Sequence, residues 1–105
     1  MIEDINPEQL DKLISENSIV VVHFYSAGAF ACTLLDNTLE EIKDEYKDKI
    51  IFVKLDYNMY YDFSRQLVVL ATPTILIYKN NIVMEKLMGY MNANQMKDVL
   101  KKFIN

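Results

Sequence analysis

The chain has 105 residues, enough for one hydrophobic core and so one domain spanning 1–105. Its composition, 51% hydrophobic and 25% charged, is ordinary for a globular protein, and its net charge of −4 with no basic run argues against a nucleic-acid surface. A single cysteine excludes an internal disulfide, and with one histidine it leaves too few soft ligands for zinc.

The start, Met1-Ile2-Glu3-Asp4, is acidic where a secretory leader is basic. The longest apolar run is too short to cross a bilayer, so a cytoplasmic chain without membrane association is expected. A brief strand is expected around residues 2–5. Asn6-Pro7-Glu8-Gln9 then starts a helix: Asn caps, Pro suits the first turn, and Gln reaches back to the cap. Leu10, Leu13 and Ile14 give that helix one apolar face. Residues 19–25 are almost continuously apolar and β-branched, which fits a central strand buried on both faces. A longer helix is expected over 30–46, with Leu35, Leu39, Ile42 and Tyr46 inward. Residues 50–55 read as another strand and 59–69 as a helix that Val68 and Val69 weaken.

Residues 74–78 and 82–88 flank Lys79-Asn80-Asn81, and Asn tolerates the left-handed backbone of a tight hairpin. Asn92 and Gln95 repeat the capping signal before a closing helix, whose inner face is Met96, Val99, Leu100 and Phe103. The sum is an α/β sandwich, with parallel strands joined by helices and an antiparallel hairpin at one edge.

Three landmarks carry a family resemblance. Phe24-Tyr25-Ser26-Ala27-Gly28-Ala29-Phe30-Ala31-Cys32 resembles the Phe-Trp-Ala-x-Trp-Cys-Gly-Pro-Cys of the thioredoxin family. Ala71-Thr72-Pro73-Thr74 is similar to that family's cis-proline turn, and Met88-Gly89 to its glycine after the last strand. The resemblance implies a thioredoxin fold, a central five-stranded mixed sheet flanked by four helices. It also implies dithiol–disulfide exchange with disulfide-containing proteins, recharging by a thioredoxin-reductase-like protein, no cofactor or metal, and a monomer. In that chemistry the first cysteine attacks as a thiolate and the second resolves the mixed disulfide. Ala29 falls at the attacking position and Cys32 at the resolving one. Gly28, Phe30, Thr72, Pro73 and Gly89 fall on the substrate groove.

The departures matter as much. Ala29 removes the nucleophile, and neither Ser26 nor Thr33 is expected to replace it. Two explanations stand: an inactivated variant of a Cys-Phe-Ala-Cys parent, which the otherwise intact groove favours, or a naturally redox-silent adaptor. His23 stands where the family often buries an aspartate, and Lys54 where it often has a lysine. His23 is therefore read either as a proton acceptor for Cys32 or as an inert, hydrogen-bonded core residue. Tyr25 and Gly28 replace tryptophans, and Ala31 and Asn37 replace prolines. Phe30 is expected to be exposed as a partner contact. Tyr57, Tyr60, Tyr61 and Phe63 are read as helix-on-sheet packing, and Met84, Met88 and Met96 as core or edge packing.

Overall fold

The structure, a computed structural model, describes residues 1–104. The elements alternate as expected: β1 (Glu3–Asp4), α1 (Pro7–Glu16), β2 (Ile19–Tyr25), α2 (Phe30–Ile42), β3 (Ile51–Asp56), α3 (Tyr61–Gln66), β4 (Thr74–Lys79), β5 (Ile82–Met88) and α4 (Ala93–Leu100). The strands form one sheet in the order β1-β3-β2-β4-β5. β1 and β2 run parallel to β3, whereas β4 is antiparallel to both β2 and β5.

β2 is central because its sequence can be buried twice over. Ile19 and Val21 face one layer with Leu35, Leu39 and Ile42 of α2 and Met96 and Leu100 of α4. Val20, Val22 and Phe24 face the other, with Leu10 of α1, Val69 and Tyr57. The alternation of side chains along a strand makes this possible only if every position is apolar or fully accommodated. His23 shares the α2 face, since it continues the odd-numbered series. Its parallel register with Lys54 of β3 brings that lysine alongside.

Both expected capping boxes form. In α1 the Gln9 amide donates to Asn6 Oδ1 at 2.8 Å and the Asn6 amide to Gln9 Oε1 at 2.9 Å. Asn92 and Gln95 repeat the exchange at the start of α4, at 2.9 Å in each direction. The helix expected over 30–46 changes character at Lys43, where a 3-10 turn, Lys43–Tyr46, takes over and turns Tyr46 into the core. The helix expected over 59–69 is limited to Tyr61–Gln66. Asp56 Oδ1 accepts the amides of Asn58 and Met59, forming the turn ahead of it. Val68 ends it with φ at +59°. Asn80 and Asn81 adopt the left-handed conformation of the hairpin, with φ of 52° and 71°.

Candidate functional site

The loop after β2 is short and built of small residues, Ser26-Ala27-Gly28-Ala29, and it delivers the chain to the start of α2. Gly28, with φ at +80°, makes the final bend; a Cβ there would meet nothing, so glycine serves the backbone and not the packing. Ala29 is the N-cap of α2. Its carbonyl accepts the Thr33 amide at 3.0 Å, yet no side chain caps the helix. This differs from α1 and α4, where Asn supplies an acceptor. The first-turn amides of α2 therefore face the residue 29 side chain without a partner from it, at the positive end of the helix dipole.

Cys32 lies one turn further on and is buried, 3% exposed. Its Sγ accepts the Ser26 amide at 3.4 Å. Ser26 Oγ is 2.8 Å from Thr72 Oγ1, so the loop before α2 is tied to the turn before β4. There the Thr72–Pro73 peptide bond is cis. Gly89, with φ at +89°, donates its amide to the Pro73 carbonyl at 2.9 Å. Ala29, Cys32, Gly28, Thr72, Pro73 and Gly89 are thus gathered at one end of the sheet by β2, β4 and β5. Phe30 is 77% exposed beside them. Leu70, Met88 and Tyr90 are also exposed, so Met88 presents a surface and only Met96 is fully buried.

Beneath Cys32 a cleft of about 210 Å³ is lined by His23, Tyr25, Cys32, Thr33, Asp36 and Lys54. His23 is wholly buried, and neither ring nitrogen has a hydrogen-bond partner. It is therefore not the hydrogen-bonded core histidine that is usual in protein interiors. Burial first, and then the neighbouring Lys54 charge, push its pKa down to about 4, which keeps the ring neutral. Asp36 Oδ1 lies 3.9 Å from His23 Nδ1, too far for a hydrogen bond, and is itself unpartnered. Its other oxygen, Oδ2, is 3.5 Å from Lys54 Nζ. Lys54 also stands over the Tyr25 ring, 5.2 Å from its centroid. The Tyr25 hydroxyl donates to Asp4 Oδ2, and burial together with that bond raises the phenol above its ordinary range.

Sequence reasoning overlooked two members of this cleft. Thr33, considered only as a replacement nucleophile, lines it, and its hydroxyl donates to the Ala29 carbonyl. Asp36 received no role, although its position four residues after Cys32 puts both on one helix face. Among the described residues no cluster of three or more potential ligands is placed to hold a metal, and no helix is long and apolar enough to cross a membrane.

The sequence model of the Thioredoxin family matches residues 1–102. A thioredoxin of Mycoplasmoides gallisepticum is 31% identical over 96 residues, covering 91% of this chain and 95% of that protein. The mitochondrial thioredoxin of Bos taurus is 30% identical over 98 residues; these cover 93% of this chain but only 59% of that relative. The solved structure of oxidised thioredoxin from Plasmodium falciparum matches with a TM-score of 0.87 at 24% identity, covering 100% of both chains. The shared feature is the fold: a five-stranded mixed sheet with four flanking helices.

Proposed function

The chain belongs to the thioredoxin family, and from that premise we propose that its site is a protein thiol–disulfide exchange site silenced at the attacking position. One observation carries this reading. α2 begins at Ala29 without a side-chain acceptor, and Cys32 follows three residues later. A sulfur at residue 29 would meet the unpaired first-turn amides, which stabilise a thiolate. Alanine offers no side-chain nucleophile, so attack on a substrate disulfide cannot start from residue 29. In a Cys-Phe-Ala-Cys parent, Cys32 resolves the mixed disulfide, while Gly28, Phe30, Thr72, Pro73 and Gly89 hold an extended substrate segment. Disulfide-containing proteins are the substrates, a thioredoxin-reductase-like protein returns the electrons, and the protein works as a cytoplasmic monomer of one domain.

Restoring the missing sulfur tests this. Ala29→Cys is expected to confer dithiothreitol-dependent reduction of insulin, whereas the Ala29 chain shows none above background. No gain from the substitution would defeat the proposal. A second reading, a redox-silent adaptor, draws on the exposed apolar rim of Phe30, Leu70 and Met88. It is favoured if the Ala29 chain, with Cys32 alkylated, retains a defined partner that Phe30→Ser releases.

A further inference from the structure

We propose that Asp36 is a positioning residue for proton transfer at Cys32, acting through His23. The inference rests on the reading of Cys32 as a thiol that must ionise during exchange, and it goes beyond that reading by naming the carboxylate and its route.

Three buried polar atoms in the cleft lack partners: both nitrogens of His23 and Oδ1 of Asp36. An unpartnered buried polar atom is costly, and three together in one polar cleft call for an explanation. The cleft that joins them also holds Cys32. His23 Nδ1 and Asp36 Oδ1 stand 3.9 Å apart, so a shift of about 1 Å, or one bridging water, would link them. The other groups facing His23 assign the direction. From α2 come Cys32 and Asp36, and from β3 comes Lys54. On β2 the Tyr25 ring is 6.0 Å away, with its hydroxyl engaged by Asp4. The paired residue on β4 is Ile75, which does not titrate.

The step balances within this set. The thiol proton of Cys32 moves to the imidazole nitrogen nearer the sulfur, and the electron pair stays on sulfur. The resulting imidazolium donates its other N–H to Asp36 Oδ1. Lys54 Nζ lies 3.5 Å from the other carboxylate oxygen, Oδ2. Reversal returns the proton to sulfur. Without Asp36 the imidazolium would face only the like charge of Lys54.

Two effects of removing Asp36 have opposite signs, which makes the test decisive. If Asp36 is merely a nearby negative charge, Asp36→Asn eases thiolate formation, because repulsion is lost and Lys54 is freed. If Asp36 stabilises the imidazolium, the same change hinders it. The experiment uses the chain with Ala29 in place. Cys32 is alkylated with iodoacetamide from pH 5 to pH 10, and its 13Cβ shift is followed over the same range, which needs no reagent access. For Asp36→Asn the expected result is roughly tenfold slower alkylation at pH 7, with the ionisation curve moved to higher pH. His23→Gln is expected to do the same, and the double variant to do no more than either alone. An unchanged curve, or one moved to lower pH, would overturn the proposal. An inactive Ala29→Cys variant would instead refute the exchange reading while leaving this titration intact.

Discussion

His23 is the residue on which the chemistry and the stability of this protein meet. An imidazole buried without a hydrogen-bond partner is disfavoured in its charged form, and at rest Asp36 Oδ1 stands 3.9 Å away, unbonded to it. Folding therefore lowers its pKa from 6.5 to about 4, through burial first and Lys54 second. Between those two values the unfolded chain binds the proton and the native chain does not. The native state then has its full stability above about pH 6.5 and loses it as pH falls towards 4, by about 3 kcal/mol from this group alone. Carboxylates titrate over the same range, so a comparison isolates the histidine. His23→Leu is expected to flatten the loss between pH 6.5 and pH 4 and to leave stability at pH 7 equal or higher, since two unpartnered nitrogens disappear. Urea unfolding of both proteins at pH 7, 5.5 and 4.5 measures it; parallel losses in the two would show that His23 is not the group responsible.

At the level of elements, the segment between α3 and β4 holds the clearest local conflict. Val68 sits at φ +59° although a β-branched side chain disfavours that conformation by about 1–2 kcal/mol. Its side chain is more than half exposed and returns little burial energy. The backbone is held there from outside: the Val68 amide donates to the Arg65 carbonyl, and the Val68 carbonyl accepts from Lys86 Nζ. Both bonds use main-chain atoms of residue 68, so Val68→Asn keeps them and removes the conflict. A stabilisation of about 1 kcal/mol is expected, seen as a higher urea midpoint with unchanged slope. A valine in the sequence signals strand or weak helix, not a left-handed turn, and for that reason residues 59–69 read as one long helix. Elements governed by their own residues were legible: the two Asn-x-x-Gln boxes and the unbroken apolar run of β2 needed no tertiary context. The change to a 3-10 turn at Lys43 carried no such local signal. Resemblance to family motifs predicted that the 29–32 and 72–73 segments belong together, and the Ser26 contacts to Cys32 and Thr72 do join them. The link from Asp36 to Lys54 was not legible, because it exists only once β3 lies beside β2 and α2 covers both.

For the whole molecule, the sheet is a shared wall between two hydrophobic layers. The α2 and α4 layer contains Leu35, Leu39 and Leu100; the α1 and α3 layer contains Leu10, Val53 and Leu55. Neither can exist without β2 and β4, since each strand supplies alternate residues to both layers: Val21 and Ile77 to one, Val22 and Leu76 to the other. Loosening α2 should therefore not melt its side of the sheet alone. It should lower the stability of the opposite layer by the same amount. Helix α2 is thus anchored by residues remote from the cleft, and its N-terminus keeps its place only while the entire sheet persists. Leu35→Ala tests this, because Leu35 is fully buried under α2 and its truncation removes about 2–5 kcal/mol. Each layer carries its own reporter, Tyr46 beside α2 and Tyr78 on the far side. With ring resonances followed through urea unfolding, both tyrosines are expected to shift to the same lower midpoint, as a single cooperative transition requires. If Tyr78 kept its original midpoint while Tyr46 moved, the two layers would be independent folding units, and the sheet would not transmit stability from one face to the other.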